Sequence, residues 1–275
     1  MTQQPAGGPD RRPTARIVKI GAAILCLGVL LTAAYRMLPQ DPDPTEPSTL
    51  VLRILAGLAI SALTLTALYF LARRETPAPL RSIGLATRQR GWLLALWGMA
   101  LWLVPAAATF AVLSALGSPL HLTASLADLL PAIGLLLLAV LFTEALPEEA
   151  VFRGYVTSSL GGWLRGWWII TTQAALFTLF AGILRQNWHM GDLSLFLAMG
   201  IGLGYLRMLS GSIWMPIGFH TAFQTGSQLV HTHHGLDFAG GSGMLMLALG
   251  AIPFASAAIV LSTMPTLFVR PRRVE

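Results

Sequence analysis

The sequence predicts an all-α membrane protein, a polytopic helical bundle of about eight transmembrane helices. Of its 275 residues 55% are hydrophobic and only 11% are charged, whereas soluble domains carry roughly 25% charged residues. The apolar residues lie in segments near or above the ~20 residues that cross a bilayer as a helix. Because backbone polar groups in lipid must be paired within the protein, such segments form helices.

The segments follow one another regularly along the chain. Residues 1–15 are rich in proline and polar residues and predict a disordered cytoplasmic tail. The chain then divides into N-terminal transmembrane helices at 16–127, a core at 128–232, and a last transmembrane helix with a basic cytoplasmic tail at 233–275. The apolar segments themselves lie at about 17–38, 49–72, 91–116, 128–161, 166–184, 193–209, 211–231 and 242–265.

The first and the fourth apolar segments differ from a simple membrane span. The first begins after basic residues, as a signal peptide does, but it is long and no clear cleavage site follows it, so we expect a retained span. The fourth has about 34 residues, more than the ~20 required. Pro147 within it predicts a kink, because proline removes one backbone hydrogen bond of the helix.

The basic residues predict the orientation of the bundle. Residues 1–19, 73–90 and 270–275 carry four, five and three basic residues, while the alternate loops 39–48, 117–127 and 232–241 carry none. The positive-inside rule then places both termini in the cytoplasm. The net charge of +6 therefore reflects topology and does not indicate nucleic-acid binding. Only one of the 18 basic residues is lysine, which is typical of a GC-rich, bacterial genome and suggests the inner membrane.

The fourth segment contains three charged residues in one short string, Glu148-Glu149-Ala150-Val151-Phe152-Arg153. A charge at the centre of a bilayer costs at least roughly 2.5–3.5 kcal/mol. Glu149 and Arg153 are four residues apart and can pair on one helix face, which leaves Glu148 free to face another partner. The string is either a cytoplasmic charge cluster just beyond the span or a polar site inside the bundle.

The seventh segment offers such a partner. His220 and Gln224 are also four residues apart and share a helix face. Both side chains can donate hydrogen bonds, and imidazole can also bind a metal. The pair either joins helices by hydrogen bonds, or holds an oxyanion or a metal at a site with Glu148.

Together these motifs resemble one known family. The string E-E-x-x-x-R-G at Glu148–Gly154, followed about 70 residues later by G-S-I-W-M-P-I-x-x-H-x-x-x-Q, is similar to the CPBP family, the CAAX protease and bacteriocin-processing (Abi) intramembrane endopeptidases related to type II CAAX prenyl endopeptidases. The resemblance covers roughly residues 128–232. It implies a bundle of about eight spans with a polar site in the membrane.

The resemblance also implies a role for each site residue. Glu148 would be the general base that activates water, while Glu149 and Arg153 would orient it and balance its charge. His220 and Gln224 would donate hydrogen bonds to the oxyanion of the tetrahedral intermediate. Gln224 stands where the family usually has asparagine. The substrate would be a membrane-embedded or membrane-anchored peptide or protein.

The second motif of the family, F-x-x-x-H, is incomplete in this chain. The matching string is Phe177–Ala181, so alanine occupies the histidine position. In the metalloprotease view of the family, that histidine would help to bind zinc. Glu148 and His220 remain as candidate metal ligands, with His189 as a weaker candidate. Zinc is therefore possible by resemblance only, since catalytic zinc sites usually have three protein ligands.

Three classes of function remain open from the sequence. The first is an intramembrane endopeptidase that uses water activated by Glu148. The second is a degenerate, non-catalytic family member that acts as a membrane binding or immunity protein. The third is a transporter or channel with a carboxylate relay. A transporter would be expected to show an inverted repeat or paired broken helices, and the sequence indicates neither.

Overall fold

The computed structural model describes residues 13–37, 46–86 and 90–263, and within them nine helices. The predicted all-helical, polytopic bundle is confirmed. Residues 1–12 of the predicted N-terminal tail, and all of the C-terminal one, lie outside the described residues. The helices are α1 Pro13–Met37, α2 Pro47–Ala72, α3 Pro79–Ser82, α4 Gly91–Ala115, α5 Leu126–Leu160, α6 Trp167–Arg185, α7 Met190–Ser210, α8 Trp214–His231 and α9 Gly241–Thr263.

Among the described helices, seven are long and apolar enough to cross a membrane, and α8, the predicted seventh span, is not among them. α8 carries several polar side chains, including His220, Gln224 and Gln228. Every residue from 215 to 221 is buried. A helix enclosed by other helices meets little lipid, so it does not need an apolar surface. The predicted count of eight therefore becomes seven apolar helices and one more polar helix among the described residues.

α8 packs most extensively along α4. The two backbones meet at glycines, because a Cβ on Gly98 would overlap the carbonyl oxygen of Met215 and one on Gly218 would overlap that of Ala95. Small residues permit this close approach of membrane helices. The contact fixes α8, and with it His220, in the interior.

A short ladder closes one end of the bundle. Strand β1, Leu120–Leu122, pairs antiparallel with β2, Leu236–Phe238, with His121 opposite Asp237. The two strands belong to loops that the arginine pattern places on one side of the membrane. The ladder itself was not predicted, since three-residue strands leave little periodicity in a sequence.

At the other end, the segment before α4 contacts the turn between α7 and α8. Gly84 O accepts hydrogen bonds from the backbone N–H of Ile213 at 3.2 Å and from the Ser212 hydroxyl at 3.3 Å. The indole N–H of Trp214 donates to Leu85 O at 2.8 Å. These contacts place the arginine-rich loop and the tight turn at 210–214 together, as the predicted alternation of helices requires.

α5 is a single helix of 35 residues with two π-helical segments, Leu141–Ala145 and Ala150–Val156. Between them lies one α-helical turn, Leu146–Glu149, which contains Pro147. Proline has no N–H to continue the α-helical ladder, so the predicted irregularity takes the form of widened turns. π-Helical segments inside α-helices often mark functional sites.

Candidate active site

The acidic motif lies on the α-helical turn between the two π-helical segments of α5. Glu149 and Arg153 are fully buried, and only 8% of Glu148 is exposed. The cytoplasmic charge cluster that the sequence left open therefore does not describe these residues. Charges buried to this extent are stable only when other groups pair with them, so their partners define the site.

Glu149 is held by one group of its own helix and one group of α8. The Arg153 guanidinium donates to Glu149 Oε1 at 3.0 Å, and His220 Nδ1 lies 2.9 Å from the same oxygen. Arg153 also donates to Met199 O at 3.4 Å and lies 4.4 Å above the ring of Phe177. The Glu149–Arg153 pair of α5 thereby contacts α6 through Phe177, α7 through Met199 and α8 through His220.

The contact with Glu149 decides how His220 is oriented. A carboxylate can only accept, so Nδ1 carries the hydrogen of this bond. Nε2 then faces Glu148, with 4.0 Å between it and Glu148 Oε2. That distance is too long for a direct hydrogen bond. Nε2 is buried and has no hydrogen-bond partner among the described residues.

Glu148 borders a small cavity between α5, α6, α7 and α8. The cavity is about 10 Å³, about the free space that one water molecule requires. Ala181 lies in its wall, at the position of the missing histidine. The other lining residues are Phe177, Phe180, Leu184, Arg185, Phe196, Met199 and Gln224. A peptide can reach Glu148 only if these helices part.

A third carboxylate, Glu144, lies one turn before Glu148 and was missed in the sequence. It is 5% exposed. Its Oε1 accepts hydrogen bonds from Arg53 and Gln228, and its Oε2 accepts one from Gln224, each at 3.0 Å. A lone glutamate four residues before the motif was the only available signal, and its partners come from helices far away in the sequence.

Arg53 lies near the outer end of α2, where a long basic side chain could extend towards the membrane surface. It instead turns inward, with Nη2 3.0 Å from Glu144 Oε1 and Nη1 3.0 Å from Gln228 Oε1. The buried carboxylate explains this, because Glu144 would otherwise lack a compensating charge.

The structure thus brings Glu148, Glu149, Arg153 and His220 into one cluster. Gln224 lines the same cavity as Glu148, but its amide donates to Glu144. His220 is not in the cavity wall, but its Nε2 lies 4.0 Å from Glu148 Oε2. The cavity is bordered by the fourth, fifth and seventh apolar segments and also by the sixth, through Phe196 and Met199.

The donor set does not fit a zinc site. Within the part of the chain that the structure describes, no group of three or more His, Cys, Asp or Glu side chains could hold a metal ion. Glu148 and His220 supply two donors, and Ala181 supplies none. His189 is exposed at the N-terminal end of α7 and does not line the cavity. Catalytic zinc usually has three protein ligands.

Comparison with protein families gives one match. Residues 130–226 match the family model described as "Type II CAAX prenyl endopeptidase Rce1-like". This segment contains the acidic motif of α5 and the His220 region of α8. The match confirms the resemblance predicted from those motifs. No curated protein and no solved structure matches the chain.

Proposed function

We propose that this chain, similar over residues 130–226 to type II CAAX prenyl endopeptidases, is an intramembrane endopeptidase. Its substrate is a membrane-embedded or membrane-anchored peptide or protein. It works in a lipid bilayer, in a bacterial inner membrane, with both termini in the cytoplasm. The orientation rests on the basic loops, and the site rests on the chemistry of α5 and α8.

One observation carries the proposal. Glu148 Oε2 and the free Nε2 of His220 face each other at 4.0 Å, and a cavity for about one water borders the same carboxylate. The Glu149–Arg153 pair fixes the imidazole from its other nitrogen. A general base must lie within reach of the proton that it removes, directly or through one water.

The chemistry follows from these positions. Water attacks the carbonyl carbon of the scissile bond, and Glu148 takes one of its protons. The resulting oxyanion accepts hydrogen bonds from His220 Nε2–H and from the remaining N–H of Gln224. When the intermediate collapses, the C–N bond breaks and Glu148 gives its proton to the leaving amine. Preorganised donors of this kind are worth several kcal/mol.

The proposed donor at Nε2 requires a hydrogen on both ring nitrogens of His220, because Nδ1 already donates to Glu149.

A second candidate function rests on Ala181. It lies in the cavity wall where the resemblance expects histidine, and the cavity is too small for a peptide. A non-catalytic family member, acting as a membrane binding or immunity protein, would have these properties. In that protein Glu148 would hold a partner or stabilise the bundle without activating water.

The two candidates are separated by a cleavage assay. Purified wild type, Glu148→Ala, His220→Ala and the surface control Glu75→Gln are incubated with a panel of membrane-anchored peptides, and the products are identified by mass spectrometry. The endopeptidase proposal expects cleavage by wild type and by Glu75→Gln only. If wild type cuts no peptide that Glu148→Ala leaves intact, the binding function becomes the better explanation.

A further inference from the structure

We propose that Glu144 is a positioning residue that fixes the carboxamide of Gln224 beside the cavity, with Arg53 as its counter-charge. The motifs that carry the family resemblance include neither Glu144 nor Arg53. The inference rests on the proposed endopeptidase function, and it adds α2 to the helices that organise the site.

The hydrogen bond between Gln224 and Glu144 runs from the amide to the carboxylate. Glu144 Oε1 accepts from Arg53 and Gln228, so this carboxylate acts as an acceptor on every contact. Its Oε2 lies 3.0 Å from Gln224 Nε2. A carboxylate in this role cannot donate to an amide oxygen, so Gln224 must present its nitrogen to Glu144. This contact settles which end of the carboxamide points where.

The bond to Glu144 determines which groups Gln224 can offer to the cavity. With one N–H bound to Glu144, Gln224 keeps one N–H and its carbonyl oxygen for a group in the cavity. The side chain is one methylene longer than the asparagine expected from the resemblance, and it has more rotamers to lose. An anchor at Nε2 removes that freedom before substrate arrives, and preorganisation of this kind supports catalysis.

Arg53 supplies the counter-charge of Glu144. Glu144 and Glu148 lie one helical turn apart, so an unpaired Glu144 would repel the proposed base. Arg53 is 3.0 Å from Glu144 and cancels its charge. The contact spans 91 residues of sequence, so α2 and α5 must be packed together before Gln224 can be held.

The test measures kcat, KM and the ¹⁵N NMR signal of the Gln224 side chain, which does not depend on activity. The variants are Glu144→Gln, Gln224→Ala, the double variant, Glu144→Asp, and the matched control Glu75→Gln, which removes a carboxylate from the distant Lys19–Glu75 ion pair. Each protein is produced with ¹⁵N-glutamine, and its NMR spectrum is recorded in detergent. The Gln224 side-chain signal is assigned by its loss in Gln224→Ala, and the signal of the glutamine that Glu144→Gln adds is assigned from the double variant.

We expect Glu144→Gln to move the Gln224 signal and to lower kcat roughly tenfold or more, with KM little changed. Removing an oxyanion donor costs about 10²–10³ in kcat. The double variant should be no slower than Gln224→Ala alone, since residues that act through one another are not additive. Glu144→Asp should retain part of kcat, and Glu75→Gln should match wild type.

Additive losses in the double variant, or an unmoved Gln224 signal in Glu144→Gln, would overturn the proposal. If wild type cleaves nothing, the endopeptidase function fails, and the signal still decides whether Glu144 holds Gln224. If Glu144→Gln does not fold, the decision passes to Glu144→Asp, whose shorter side chain should also move the signal and lower kcat.

Discussion

His220 Nδ1 and Glu149 Oε1 lie 2.9 Å apart, both fully buried. This contact joins α8 to the acidic motif of α5 and turns the opposite ring nitrogen of His220 towards Glu148. A carboxylate on one nitrogen of a histidine commonly fixes which nitrogen is free for chemistry. We therefore expect Glu149→Ala to lower kcat strongly, with a smaller change in KM, measured by steady-state cleavage of an anchored peptide. The rates are referred to the folded fraction, because this variant leaves Arg153 buried without its partner. A change confined to KM would argue against this role.

Arg153 should contribute strongly to the stability of the fold. It is fully buried against Glu149, and removing one partner of a buried ion pair costs roughly 3–5 kcal/mol. Thermal unfolding of Arg153→Met in detergent should show a Tm well below that of wild type. Arg81→Met, at an exposed arginine, is the control and should unfold with wild type. Equal Tm values for all three proteins would contradict the buried pairing.

Ala181→His should raise the rate of cleavage, because it would direct an imidazole into the cavity that Glu148 borders. General acid–base assistance is typically worth ~10²–10⁴-fold, so a tenth of that gain would be measurable. The cavity holds only about one water, and overpacking should lower stability by about 1–3 kcal/mol. Ala181→Leu adds similar bulk without a polar group and should lower the rate. If both variants change the rate equally, bulk alone explains the effect.

Cleavage by wild type should be slow and insensitive to chelators. Glu148 and His220 provide two metal donors where catalytic zinc usually has three. The measurement is the rate before and after treatment with 1,10-phenanthroline and EDTA, and again after addition of zinc. A fast reaction that chelators stop and zinc restores would show that another residue completes a metal site, with His189 tested first.

The orientation can be checked by labelling in intact cells, in a background in which Cys26 is replaced. Asp237→Cys, in the strand ladder, should react with an impermeant thiol reagent from outside. Leu80→Cys, beside the arginine-rich loop, should react only after lysis. The reverse pattern would show that the basic loops lie on the outer side, against the positive-inside rule.

Much of the fold could be predicted because it depends on local composition. Seven helices have apolar sequences that require burial in lipid, and their bounds match the structure closely. α8 was found by the same pattern although its residues are more polar, since Trp214–Ile217 and Phe219 remain apolar. The β1–β2 ladder and the π-helical segments depend on contacts and backbone geometry that no sequence period records.

The site was predictable only where its members are neighbours on one helix. Glu149 and Arg153 were paired from their spacing, and Gln224 was placed near His220 by the same rule. The contacts of Glu144 with Arg53, Gln224 and Gln228 join three helices. Nothing in the spacing of these residues indicates that Glu144 takes one N–H of Gln224, because that depends on how the helices pack.

The most direct test of the account is single-turnover cleavage of an anchored peptide by wild type and Glu148→Gln. Glutamine keeps the size of Glu148 but cannot accept a proton from water. We expect a rate lower by roughly 10²–10⁴-fold, with peptide binding and Tm preserved. A Glu148→Gln protein that folds, binds and cleaves at the wild-type rate would show that Glu148 is not the base, and would contradict the proposed mechanism.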